Sequence, residues 1–173
     1  MNIVPFSRGD AIGKREITAK HAIAEAEKHD GMRKQLYELE IACSASNLPE
    51  VECPLQHVFA PGAYARTIFI PANSVIVGKI HKHAHLNILA QGSVIVVTEG
   101  GGIEHLTGPV TMVSPPGTKR GLRTLTDVVW TTIHLTASTD LAEIEDEVIA
   151  PTFEAYERFA LENDMTKCIE VSA

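Results

Sequence analysis

Cysteine is scarce in this chain: three residues in 173, at positions 43, 53 and 168, with no Cys-x-x-Cys pair among them. That spacing excludes a disulfide framework and a structural zinc ribbon, and the three read as small apolar side chains kept reduced. Cations are the minority charge. Fifteen Lys and Arg against 22 Asp and Glu leave a net charge of -7, which excludes a general nucleic-acid binder, because phosphate neutralisation needs clustered basic residues. No apolar run is long enough to span a bilayer and no charged-then-apolar leader opens the chain, so a cytoplasmic protein without membrane contact is expected. A nucleophile elbow is missing too: Ser114 precedes Pro115 with no flanking glycine pair, and the cysteines stand near no recognisable base. Gly100-Gly101-Gly102 joins two strand-like runs and precedes no helix, so it is a hairpin tip and not a phosphate loop.

What remains is enough for one domain with appendages. Hydrophobic residues make up 45% of the chain, an ordinary fraction that supports a sizeable core. Residues 1–50 read as an arm followed by helices. Met1 to Asp10 lacks periodicity, a helix starts at the cap Thr18 and stops at Gly31, and a second runs from Met32 to Ile41 before a linker at Ser44–Pro49. Residues 51–137 are β-rich. Short runs at Tyr64–Ile70, Val75–Ile80, Leu86–Ala90, Ser93–Thr98, Ile103–Leu106, Val110–Ser114, Gly121–Leu125 and Val128–Thr136 alternate with Gly- and Pro-containing breaks. This spacing predicts an all-β sandwich or barrel and leaves no room for βαβ crossovers. Residues 138–173 return to helix behind the cap Thr139-Asp140, with the acidic run Glu143–Glu147 on a solvated face and a second amphipathic set after Pro151.

The densest chemistry lies at His81-Lys82-His83-Ala84-His85. On a regular strand, alternate residues share a face, so three imidazoles at every second position form a row of nitrogen donors. Such a row is either a solvated His-rich face or a metal or ligand pocket; we take the pocket. Asn87 and Gln91 continue the same face and would reach a ligand inside the barrel or line its rim.

From Phe59 to Thr136 the chain resembles the cupin superfamily, small double-stranded β-helix or jelly-roll barrels. The first cupin motif runs from a glycine through His-x-His and a Glu to a second glycine. Counted back from Gly92, His85 falls on the Glu position, His81 on the second His and Lys79 on the first. Taking His81-x-His83 as the pair instead leaves no carboxylate in place. The second motif is present as Gly108, then Pro115-Pro116-Gly117, but Arg120 stands where the last His ligand belongs. If Thr126-Asp127 were a hairpin tip, residues near Arg120 would lie opposite those near His134, which would then fill the vacated position. The strings Ala63–Arg66, Ser114–Arg120 and Trp130–His134 are similar to those of cupin-like proteins of tailed bacteriophages, a group without an assigned reaction.

The resemblance implies a mainly β cupin barrel with N- and C-terminal helical arms. It points to His81, His85 and His134, with His83 less favoured, as ligands of a divalent metal (Zn, Fe, Mn or Ni), or else to a metal-free pocket of hydrogen-bonding imidazoles. A guanidinium in place of a neutral donor suits carboxylate or phosphate, so Arg120, with Asn87 and Arg66, is expected to bind a small anionic molecule. Two functions follow. One is a binder of a small anion, or a metal-dependent enzyme acting on such a small substrate. The other is a non-catalytic phage accessory protein that sequesters a host nucleotide-like signal in the host cytoplasm or serves virion assembly. A homo-oligomer is expected, since exposed sheet edges need cover.

Overall fold

A computed structural model describes residues 19–45, 51–98 and 102–163, with side chains of the first helix from residue 30 onward. Met1–Asp10, the Thr18 cap, residues 46–49 of the linker, Gly100, Gly101 and Cys168 lie outside the described residues. Helix α1 spans Ala19–Ala45, and ten strands follow: β1 Leu55–Ala60, β2 Ala63–Ile70, β3 Val75–Val77, β4 Ile80–His81, β5 His85–Gln91, β6 Ser93–Thr98, β7 Ile103–Thr107, β8 Val110–Ser114, β9 Arg120–Thr124 and β10 Val128–Leu135. Helix α2 (Leu141–Val148), the short strand β11 (Ile149–Ala150) and helix α3 (Phe153–Glu162) close the order.

The strands form a five-stranded sheet in the order β1-β2-β10-β5-β8 and a four-stranded sheet in the order β3-β9-β6-β7, with β11-β4 as a separate pair. All pairings are antiparallel, and the two larger sheets face each other as a jelly roll, as the strand spacing predicts. Ile70, Leu89, Val94, Val96, Val128 and Trp130 form the core between them. Corners are made by glycine where no other residue fits. Gly92 has φ +97°, and a Cβ there would stand 2.3 Å from the Asp127 carbonyl oxygen.

Three expectations are corrected. Gly31 does not end a helix: α1 runs through it, since a mid-helix glycine costs only about 1 kcal/mol and Leu36, Leu39 and Tyr37 anchor the helix further on. Strand β1 was not foreseen; it joins β2 through Pro61-Gly62, with Gly62 at φ +79°, the pattern of a type II turn. Thr126-Asp127 is not a hairpin tip. Strand β9 pairs with β3 and β6, whereas β10 pairs with β2 and β5, so the chain crosses there from one sheet to the other.

The helices dock on their own chain's β-core. Leu36 and Leu39 of α1 pack so closely on Gly121 of β9 that a Cβ there would lie 3.2 Å from both. Asp140 caps α2 by accepting from the backbone N–H groups of Ala142 and Glu143, and Thr152 caps α3 through Ala155. Among the described residues, the outward face of the five-stranded sheet has no charged side chain. Alternation and register place Val58, Phe69, Leu86, Ile88, Val113, Val129, Ile133 and Leu135 there, among threonines, alanines and Gln56, with Leu135 84% and Val113 63% exposed.

Candidate functional site

The His81–His85 segment is not one regular strand. Chain direction breaks at Lys82-His83, between β4 and β5, and the break separates the three imidazoles. His81 and His85 turn between the sheets, while His83 is exposed and sets its ring edge-on against Phe159 of α3 at 5.3 Å. His83 is therefore corrected: it stands outside the cluster, because the bend reverses the side it faces. Two backbone contacts fix His81. Its backbone oxygen accepts from Gly117 N–H of the Pro-x-Gly turn at 2.8 Å, and its residue pairs with Ile149 of β11.

His134 joins them from β10. Its route differs from the hairpin expectation: β10 lies in the same sheet as β5, and the Leu86↔Ile133 register places His85 beside His134. Ring centroids are 4.1 Å apart for His81–His85, 5.0 Å for His81–His134 and 4.8 Å for His85–His134. Burial is the first cause that pushes all three imidazoles below their ordinary pKa. His81 falls to about 2, with His85, His134, Arg120 and Arg66 adding to the effect, and His134 falls to about 4, opposed by Glu147. His85 is lowered by burial, opposed by its backbone hydrogen bond and assisted by Arg120. The cluster is thus neutral at pH 7, the state in which imidazole binds metal.

One nitrogen of each of these rings lies within 4.8 Å of the others. An ion with tetrahedral bonds of about 2.0–2.1 Å needs donors about 3.3 Å apart, a closure of up to about 1.5 Å. Two further details favour an ion. His85 Nδ1 meets the His83 carbonyl oxygen at 3.2 Å, so Nδ1 carries the proton and Nε2 the lone pair. His81 Nδ1 is buried and has no hydrogen-bond partner among the described residues, a condition a native interior rarely leaves unremedied. The donor set fits a borderline divalent ion.

The cluster opens on a cavity of about 500 Å³ between the sheets. Arg66 of β2 and Arg120 of β9 line it from opposite sheets. Trp130 Nε1 donates to Asn87 Oδ1 at 2.9 Å, Asn87 Nδ2 donates to Ser114 Oγ, and Arg120 Nη1 donates to the same oxygen at 2.6 Å. Asn87 thus holds Arg120 in place through Ser114. Lys119 faces away, as alternation predicts, donating to the Gly78 carbonyl and pairing with Glu40 of α1. Gln91 is exposed at the far end of β5.

Several groups escaped the sequence reading. His57 sits on β1, not in a loop, and its Nδ1 shares a 2.7 Å hydrogen bond with the Tyr64 hydroxyl; both line the cavity. Burial raises the Tyr64 pKa, against the pull of Arg66. The Pro61-Gly62 turn was the available signal for β1. Helix α2 walls the cavity with Leu141, Ile144, Glu145 and Val148. Its acidic run is only partly a solvated face: Glu145 pairs with Lys79, and Glu147 accepts from Thr136 Oγ1 at 2.6 Å. None of these long-range contacts has a local signature.

No family model and no curated protein matches the chain. Among solved structures it is similar to KdgF from Halomonas sp. at 20% identity, covering 56% of this chain and 91% of that one with a TM-score of 0.43. It is similar to ectoine synthase from P. lautus at 14% identity, covering 58% and 75%, TM-score 0.47. An RmlC-like cupin from Shewanella frigidimarina shows 17% identity, 56% and 95% coverage, and a TM-score of 0.42. On its own sheet order and flanking helices, the chain has the cupin-type double-stranded β-helix fold with helical arms.

Proposed function

We propose that the protein binds a small anionic molecule in this cavity, beside a divalent metal ion held by His81, His85 and His134. The observation that carries the reading is the unpartnered, buried His81 Nδ1 within a neutral imidazole cluster, facing a cavity that also receives two guanidinium groups. Arg66 supports the anion, since no ion-pair or hydrogen-bond partner meets its side chain among the described residues. Arg120, set by Ser114, supplies a second, oriented fork. When bound, an ion on three neutral ligands keeps its full positive charge and supplies Lewis acidity next to the anion. Tyr64 and His57 offer a hydroxyl and an imidazole on the same wall.

Metal analysis of the purified chain, followed by titration with Zn, Fe, Mn and Ni salts, tests the reading. The expected result is one ion per chain, lost in His85→Ala and in His134→Ala with the fold retained. Metal content that is unchanged by both substitutions would overturn it.

The likeness of three strings to tailed-phage proteins supports a phage setting and action in the host cytoplasm. We also propose self-association, through a sheet face where an edge was expected. Five strands about 4.8 Å apart and about seven residues long present roughly 550 Å² of flat area. With side-chain relief this approaches the roughly 800 Å² per partner of a standard interface. A second copy is the occupant that meets this uncharged face with an equally uncharged one across a two-fold axis.

A further inference from the structure

The cavity is built in tiers, and ladder register shows their order. Along β2 and β10 the inward pairs run Tyr64↔His134, Arg66↔Thr132, Ile68↔Trp130 and Ile70↔Val128. Across the cavity, Arg120 is followed two residues later by Leu122, which pairs with Ile76. Polar side chains therefore occupy one end, and hydrocarbon begins about 6.6 Å deeper, two strand residues on. That deeper tier is not closed core. Leu89 and Val94 have 0% exposure, yet Ile68, Ile76 and Leu122 are only partly buried although they point between the sheets and line the open space. Hydrocarbon held open inside a barrel is an unfavourable surface until something apolar covers it.

From this we infer that the ligand is amphipathic: a carboxylate-type anionic head at Arg66 and Arg120, and an aliphatic or aromatic body laid over Ile68, Ile76, Leu122 and Trp130. The inference rests on the reading that the cavity takes an anion, and it narrows the class. A nucleotide or a sugar acid would bring hydroxyl and ring-nitrogen groups to a tier that offers them no partners except the indole N–H, which Asn87 already occupies.

Calorimetric titration of the full-length, metal-analysed protein with acetate, butyrate, hexanoate and octanoate, and separately with AMP, galacturonate and 1-octanol, tests it. Expected is an affinity that rises about three- to fourfold per added CH₂ until the cavity is filled, with octanoate far ahead of AMP, galacturonate and 1-octanol. Arg66→Met weakens the whole series, and Ile76→Thr or Leu122→Asn flattens its slope while acetate is held as before. A flat series, or AMP or galacturonate binding more tightly than octanoate, overturns the amphipathic class and leaves the anionic site standing. Octanoate binding that ignores Arg66→Met overturns it as well, because the acid then sits elsewhere. If none of the anions binds, the anionic reading itself falls. Should the Ile76 and Leu122 variants fail to fold, the wild-type series decides alone.

Discussion

Two hydrogen bonds converge on Ser114 Oγ, one from Asn87 and one from Arg120, and Asn87 is itself held by Trp130. Ser114 and Asn87 are almost wholly buried, at 0% and 2% exposure, so a hydrogen bond lost between them is not readily replaced. Trp130→Phe is expected to strand the Asn87 carbonyl and cost about 1–3 kcal/mol, read as a lower urea midpoint. Anion affinity falls with it, while metal content, which depends on the imidazoles, is unchanged. The histidines give a second prediction. Their folded pKa values lie below the ordinary 6.5, at about 2 for His81 and about 4 for His134. The unfolded chain therefore takes up protons first as pH falls. Their stabilisation is complete above pH 6.5 and is lost progressively below it, at up to about 1.4 kcal/mol per pH unit for each such imidazole. Urea midpoints of the metal-free protein should drop between pH 7 and pH 5, and His134→Asn should shallow that decline; equal slopes in the two proteins would contradict the assignment.

Among the elements, those with a local signal were legible. Strands β2 and β5 to β10 fall within a residue or two of the β-branched runs, because each is bounded by turn residues. The cap Asp140 marks α2 in the same way, and the amphipathic set after Pro151 marks α3, whose cap Thr152 the structure supplies. Partnership was not legible. The reading of β9 and β10 as a hairpin failed because a short break with turn chemistry serves equally for a step between sheets. The convergence of His81, His85 and His134 was anticipated, but the fold achieves it through register within one sheet, and it turns His83 aside by a bend no periodicity announces. Arg66 and Arg120 do reach one cavity, whereas the wall given by α2 and β1 depends on contacts between distant residues. Gly117 shows how tightly these elements meet: it sits at φ +78°, and a Cβ would lie 2.4 Å from the Tyr156 ring of α3. Gly117→Ala should destabilise by more than about 1 kcal/mol. Because Gly117 also donates to the His81 carbonyl, metal affinity should fall in the same variant.

For the whole molecule, the proposed self-association is tested on the uncharged outer sheet. Placing a charge at its centre, as in Ile133→Lys, or on its most exposed residue, Leu135→Glu, is expected to convert a dimer to monomer in light scattering, without loss of metal. A wild-type mass of one chain at all concentrations would refute face-to-face pairing.

The short pair β4–β11 couples the cluster to late sequence: Ile149 lies against His81, and Lys82 N–H reaches the Val148 carbonyl at 2.8 Å. During synthesis all three imidazoles leave the ribosome before the segment that secures the first of them. A nascent chain extending only to Leu135 would therefore carry all three imidazoles and every strand of both large sheets, yet His81 would lack its late backbone partner until residues 141–150 have emerged and docked.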